Sequence, residues 1–136
     1  MKIVTDSGAD ISFEECKSLG ITMLPLKVDL AGVSYKSGID IDPEQFYDLM
    51  DASPTMPITS TPSVGEFAEV YKRLATEDPE ILSVHISSGL SATFNVAVQA
   101  AELVPEAKIT LVDTLTLFAG TGWQLRAASA MMQADT

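Results

Sequence analysis

The segment that decides the predicted fold is Ser83-Val84-His85-Ile86-Ser87-Ser88-Gly89-Leu90-Ser91-Ala92-Thr93-Phe94. It completes a short apolar and largely β-branched run, residues 81–86, that is typical of a buried strand. Gly89 permits a tight turn, because glycine tolerates backbone angles that other residues resist. Ser91 is a suitable N-cap, so a helix is expected over residues 92–103. The segment therefore predicts a strand that turns directly into a helix.

The turn in this segment is a candidate anion site. Parallel α/β sheets bind ligands at the carboxyl ends of their strands, and the free N–H groups and dipole of a helix N-terminus favour anions there. Ser87 and Ser88 add two hydroxyls that suit a carboxylate or a phosphate. The same residues are also compatible with a plain loop before a capped helix, so the local sequence leaves both interpretations open.

Further strands are predicted on both sides of this segment. Residues 2–5 and 108–112 are short apolar runs, and residues 21–30 form a longer one. Pro25 interrupts the longer run, which indicates an edge strand or a bulge. Residues 31–38 contain two glycines and are expected to form a hairpin or an irregular excursion.

Helices are predicted between these strands. Capping signals at Ser12, Asp42 and Ser63 each begin one, and a last helix is expected from near Thr116. Residues 53–63 hold three prolines and six hydroxyl residues, which favours a stiff, extended loop. Strands that alternate with helices predict an α/β fold with a mainly parallel, doubly wound sheet and helices on both faces.

Composition limits the classes of function. The chain has 136 residues, 46% of them hydrophobic and 20% charged, which fits a single globular domain. Its net charge of −11 disfavours nucleic acid as a partner, because that affinity comes largely from Lys and Arg. Cys16 and His85 are the only residues of their types, so no internal disulfide or multi-histidine metal site is expected. The sequence shows neither a signal peptide nor a membrane span, so a cytoplasmic location is expected.

Hydroxyl-bearing turns follow several of the predicted strands. They are Asp6-Ser7, Thr59-Ser60, Ser87-Ser88-Gly89 and Asp113-Thr114. Because loops after parallel strands gather at one edge of the sheet, all four are expected to converge there. This convergence favours a ligand site over a set of unrelated loops.

Four motifs in order resemble the DegV family. They are Lys2-Ile3-Val4-Thr5-Asp6-Ser7, Thr59-Ser60-Thr61-Pro62-Ser63-Val64-Gly65-Glu66-Phe67, Ser87-Ser88-Gly89-Leu90-Ser91-Ala92-Thr93-Phe94 and Val112-Asp113-Thr114. The second and third are similar to the family's Thr-Ser-Gln-Pro-Ser-Pro-Gly-Glu-Phe and Ser-Ser-Gly-Leu-Ser-Gly-Thr-Tyr stretches. Thr61, Val64 and Ala92 depart from those patterns but leave the hydroxyls in place.

The resemblance implies a lipid-binding protein that is not an enzyme. Such proteins hold a long-chain fatty acid such as palmitate by its carboxylate, and related members present it to a fatty acid kinase. The positions that match the family's carboxylate contacts are Thr59 and Ser88, with Ser87, Ser60 and the Gly89 N–H as neighbours. The resemblance implies no metal and no other cofactor.

The resemblance covers only the first part of the length of a typical family member. Residues 1–136 are similar to the N-terminal α/β lobe of the family, whose members continue into a second lobe that helps to enclose the ligand. We therefore expect half of the site to be absent, and we expect an exposed apolar face that promotes self-association.

Three other functions are compatible with the sequence. Ser87 or Ser88 with His85 and Asp113 would form a hydrolase triad, although the chain has no Gly-x-Ser-x-Gly motif. His85 would be the modified residue in a phosphotransfer or dihydroxyacetone-kinase-like domain, but it lies deep in its strand and more readily fits a buried histidine with a hydrogen-bond partner. The chain could also be a degenerate interaction module without a ligand. Trp123 and the Met131-Met132 end are expected in the core or at an interface.

Overall fold

The computed structural model describes residues 1–135. Within them the strands are β1 (Lys2–Asp6), β2 (Ile21–Leu24), β3 (Lys27–Leu30), β4 (Val33–Lys36), β5 (Ile58–Ser60), β6 (Glu80–His85) and β7 (Lys108–Asp113). The helices are α1 (Phe13–Ser18), α2 (Pro43–Ala52), α3 (Val64–Ala75), α4 (Thr93–Glu102) and α5 (Ala119–Ala134). One 3-10 turn, Ser7–Ala9, follows β1.

The main sheet is parallel and is covered by helices on both faces. Its strand order is β2-β1-β6-β7, and every neighbouring pair is parallel. Successive strand residues face opposite sides, so Val4 packs in a core with α3 and α4, whereas Ile3 packs in a second core with Cys16 of α1 and Leu125 of α5. The predicted α/β fold with helices on both faces is confirmed.

A second, smaller sheet corrects the prediction of one strand over residues 21–30. Pro25 separates that run into β2, which pairs with β1, and β3, which pairs antiparallel with β4 and β5. Proline has no N–H to donate and fixes its own φ, so the ladder stops there and the chain changes sheet. β2 lies at the edge of the main sheet, as Pro25 predicts, and the predicted hairpin turns at Ala31 and Gly32.

The third strand of the small sheet lies inside the predicted extended loop. β5 pairs with β3 in the register Val28 to Thr59 and Lys27 to Ser60. Thr59 and Ser60 therefore do not follow a strand of the main sheet, and the expectation that all four hydroxyl turns end one parallel sheet is wrong for this pair. The strand is too short, and too rich in threonine and serine, to give an apolar periodicity.

Local capping explains most helix starts. Asp42 and Ser63 form reciprocal capping boxes with Gln45 and Glu66. Ser12 accepts from the Glu15 N–H, but the Glu15 carboxylate forms a bidentate pair with Arg126 instead of completing a box.

Two helices begin later than predicted. The N-cap of α4 is Ala92 and not Ser91, and Ala92 makes no side-chain cap hydrogen bond. The Ser91 hydroxyl, one residue before the cap, accepts from the N–H of Thr93, the first residue of the helix. α5 begins at Ala119 and not near Thr116, since the Thr116 carbonyl accepts from the Ser87 N–H and Phe118 has a positive φ.

The exposed part of α5 corrects another expectation. Trp123 is 71% exposed and Met131 is 70% exposed, so neither belongs to the core, and an interface role stays a prediction. Met132 is partly buried and packs against the second core, as expected. No helix within residues 1–135 has the length and apolarity that a membrane span requires.

Candidate functional site

The β6–α4 loop is folded tightly around Ser87. The buried Ser87 donates its N–H to the Thr116 carbonyl at 2.8 Å, and its own carbonyl accepts from the N–H groups of Leu90 (3.0 Å) and Ser91 (3.1 Å). The Gly89 N–H donates to the Ser87 hydroxyl oxygen at 3.1 Å. The Gly89 N–H, one of the predicted ligand contacts, is therefore engaged within the loop in this structure.

The exposed Ser88 contacts the carboxylate of Asp113, which ends the neighbouring strand β7. The Ser88 hydroxyl donates to Asp113 Oδ2, its N–H donates to Oδ1 at 3.2 Å, and the Leu115 N–H donates to Oδ1 at 3.1 Å. The hydrogen bond from the Ser88 hydroxyl, and then that from the Leu115 amide, hold the pKa of Asp113 below its usual value. The donors that the sequence predicts for a ligand carboxylate are thus arranged around a carboxylate of the chain itself.

Thr59 and Ser60 lie beside the other half of the same loop. Both are exposed, and they line a cavity of about 270 Å³ together with Leu26, Thr61, Leu90, Ser91 and Ala92. Ser88 does not line this cavity and instead lies on the Asp113 side of the loop. The structure therefore brings Thr59 and Ser60 to the β6–α4 loop, but opposite residues 90–92 rather than opposite Ser88.

A larger and more apolar cavity lies next to this one. Its volume is about 460 Å³, and the apolar and aromatic residues that line it are Val28, Ile41, Pro43, Phe46, Tyr47 and Phe118. Ser7 also lines it, and the Ser7 hydroxyl accepts from the N–H of Leu26, which lines the smaller cavity. This hydrogen bond therefore joins a residue that lines one cavity to a residue that lines the other.

Four buried polar side chains form a hydrogen-bonded chain next to the β6–α4 loop. The Tyr71 hydroxyl contacts Ser83 Oγ at 2.7 Å, Ser83 Oγ contacts His85 Nε2 at 2.7 Å, and His85 Nδ1 contacts Asp6 Oδ2 at 2.9 Å. All four residues are completely buried. A proton on Nδ1 satisfies the whole chain, with Tyr71 donating to Ser83, Ser83 to His85 and His85 to Asp6. Burial raises the pKa of Tyr71 to about 12.

Asp6 joins this chain to the backbone of the site. Its Oδ2 also accepts from the Ile86 N–H at 3.2 Å, and its Oδ1 accepts from the Gly8 N–H at 2.9 Å. One buried carboxylate thus fixes the end of β6 against the end of β1, directly before Ser87 and Ser88. The sequence analysis missed this role, although an aspartate at the carboxyl end of a buried strand is a signal that could have indicated it.

The hydrolase triad suggested by the sequence is not assembled. His85 contacts Ser83 and Asp6, whereas Asp113 contacts Ser88, so the three groups belong to two separate clusters. His85 is fully buried, which also removes the basis for a phosphotransfer role, and the expectation of a buried histidine with a partner is confirmed. Residues 1–135 contain no group of three or more side chains suited to a metal ion.

The chain is similar in sequence to members of one protein family. The profile of a family described as "Uncharacterised protein, DegV family" matches residues 1–136. A "DegV domain-containing 15.5 kDa protein" of Staphylococcus aureus is 40% identical over 124 residues, which cover 91% of this chain and 87% of that protein.

Two solved structures have the same fold. A DegV family protein from Thermus thermophilus, described for its fatty acid binding, superposes with a TM-score of 0.91 at 32% identity. A stearic acid-binding protein from Eubacterium ventriosum superposes with a TM-score of 0.88 at 29% identity. The matches cover 99% and 98% of this chain but only 48% and 47% of those chains, so this chain spans about half their length.

Proposed function

Since the chain belongs to the DegV family, we propose that it binds a long-chain fatty acid, such as palmitate or stearate, by its carboxylate. Structures of the same fold are described as fatty acid-binding, and at 29% to 32% identity they support this class of ligand. The observation that carries the proposal is the cavity of about 270 Å³ at which Thr59 and Ser60 face the β6–α4 loop.

The head group is proposed to bind at this loop. A carboxylate removed from water needs several hydrogen bonds, and hydroxyls beside a helix N-terminus supply them without a cationic partner. We assign to it the hydroxyls of Thr59 and Ser60, which line the cavity. We also assign to it the hydroxyls of Ser87 and Ser88, which would have to leave their present contacts with Gly89 and Asp113 to reach the head group. Gly89 would contribute its N–H only if the Ser87 hydroxyl released it.

The acyl chain is proposed to lie in the larger cavity. Its volume of about 460 Å³ is within the range of about 300–1,000 Å³ that is usual for small-molecule sites. The rings of Phe46, Tyr47 and Phe118 would contact the chain, and each buried methylene would contribute about 0.8 kcal/mol. The tail would then supply most of the affinity, whereas the hydroxyls would select an acid over an ester.

Exposed apolar side chains beside the loop suggest how the tail is covered. Leu90, Leu115 and Phe118 are 68%, 78% and 61% exposed. Leu115 and Phe118 also have φ values of 54° and 52°, which are uncommon for bulky residues and are often retained at functional sites. We assign residues 1–136 to one lobe of the site, and self-association through these side chains would provide a second apolar surface.

We further propose that the chain acts as an acyl carrier. Binding by the carboxylate, with the tail buried, would leave the head group near the protein surface, where Ser88 and Thr59 are exposed. A fatty acid kinase could then reach the carboxylate without extraction of the tail. This role rests on the family resemblance and on that exposure.

Calorimetric titration of lipid-free protein with palmitate tests the binding proposal. Thr59→Ala and Ser88→Ala each remove a hydrogen bond to a charged group, so each should weaken binding by about tenfold or more. Thr110→Ala and Ser34→Ala, at exposed positions on β7 and β4, are the matched controls and should leave the affinity unchanged. Absence of palmitate binding, or equal effects of all four variants, would contradict the proposal.

A further inference from the structure

We propose that Asp113 is a specificity-determining residue that occupies the hydrogen-bond donors of Ser88 and opposes the binding of negatively charged ligands. This inference deepens the proposed function and rests on it. Ser88 is the residue that both ideas share, because its hydroxyl is assigned to the fatty acid and is bonded to Asp113 in the structure.

The hydrogen bonds around the Asp113 carboxylate are those that a carboxylate-binding site would make to its ligand. Its two oxygens accept three hydrogen bonds, from the Ser88 hydroxyl, the Ser88 N–H and the Leu115 N–H. These are the donor types that a fatty acid carboxylate would require. No lysine, arginine or histidine within residues 1–135 forms an ion pair with Asp113, so its charge has no cationic partner there.

Two consequences follow for a ligand. A carboxylate that uses the Ser88 hydroxyl must displace Asp113 from it, and it then lies close to a second negative charge. A ligand with a neutral head group must also displace Asp113 from Ser88, but the charge of Asp113 does not repel it. Asp113 should therefore weaken the preference of the site for an anionic head group over a neutral one at a given tail length.

Asp113→Asn separates these effects. The asparagine carbonyl can still accept a hydrogen bond from Ser88, so the loop keeps a partner while the charge is removed. Asp113→Ala removes both the charge and the acceptor, and it serves as a second test should the asparagine hold Ser88 too tightly. Asp51→Asn, at an exposed position on α2, is the control for the loss of one negative charge.

The experiment compares dodecanoate with dodecanol by calorimetric titration of the lipid-free chain and each variant. Two unit charges a few ångströms apart near a surface repel enough to change an affinity by about tenfold or more. Asp113→Asn and Asp113→Ala should therefore improve dodecanoate binding relative to dodecanol by at least about tenfold, whereas Asp51→Asn should not alter the ratio.

The other outcomes overturn the inference in distinguishable ways. If dodecanoate and dodecanol bind but the ratio is the same in every variant, Asp113 does not select the head group, and the proposed fatty acid binding still stands. If neither ligand binds the parent chain or any variant, although circular dichroism shows folded protein, the proposed function fails together with the inference.

Discussion

Asp6→Asn is the substitution that most directly tests how the buried polar chain supports the site. The carboxylate of Asp6 accepts from three donors, Gly8 N–H, Ile86 N–H and His85 Nδ1. An asparagine offers one oxygen and one NH₂ group, and the NH₂ group must face either the Gly8 N–H or the other two donors. In both orientations at least one buried donor loses its acceptor.

The expected cost follows from that count. A buried polar group left without its partner costs about 1–3 kcal/mol, and a hydrogen bond to a charged group contributes about 1.5–3 kcal/mol. Asp6→Asn should therefore lower the free energy of unfolding by about 3 kcal/mol. Tyr71→Phe removes only the terminal hydroxyl of the chain and leaves Ser83 bonded to His85, so it should cost about 1 kcal/mol.

Urea denaturation followed by far-ultraviolet circular dichroism measures both values. The reference is Asp51→Asn, an exposed substitution that should change stability by less than about 0.5 kcal/mol. An Asp6→Asn protein as stable as the Asp51→Asn protein would refute the view that one carboxylate joins β1 to the end of β6.

Three further predictions concern other parts of the chain. Burial raises the pKa of the Cys16 thiol to about 11, so Ellman's reagent at pH 8 should react with it slowly until urea unfolds the protein. The Arg126 hydrogen bond lowers the pKa of Glu15 below its usual value of 4.5. The ion pair should therefore stabilise the fold fully above pH 4.5 and lose its effect as the pH falls through the lowered pKa. Melting curves of Glu15→Gln and the parent chain should accordingly converge in acid. Leu115→Ser with Phe118→Ser should reduce self-association in light scattering, and a concentration-independent monomer for the parent chain would contradict that prediction.

The fold was predictable wherever the controlling interactions are local. The side chains of Asp42 and Ser63 each accept from an amide three residues away, and the sequence predicted both residues as N-caps. The β6–α4 turn was equally clear, because its strand, glycine and helix are adjacent in the chain. The fold class then follows from the alternation of such elements.

Non-local contacts explain what the sequence did not predict. Pro25 indicates that a strand is interrupted, but only the pairing of β3 with β4 and β5 shows that the chain enters a second sheet. The Ser91 hydroxyl was expected to cap the helix, yet the helix begins one residue later, after a loop whose Ser87 N–H donates to the distant Thr116 carbonyl. Helix and strand propensities do not show which of several possible hydrogen-bond partners a residue will contact.

The same limit applies to the candidate site. The sequence indicated Ser87 and Ser88 from their place after a strand, and the structure places both in the loop. It could not indicate that Asp113 already holds Ser88, since the two are 25 residues apart. The chain from Tyr71 to Asp6 joins three separate elements, so only the tertiary structure brings it together.

The central proposal, that this chain binds a long-chain fatty acid, is tested most directly by native mass spectrometry of the purified protein together with lipid extraction of the same sample. The account predicts an added mass equal to one long-chain fatty acid per chain, and recovery of that acid in the extract. A chain that purifies without lipid, and still shows no added mass after incubation with palmitate or stearate, would contradict it.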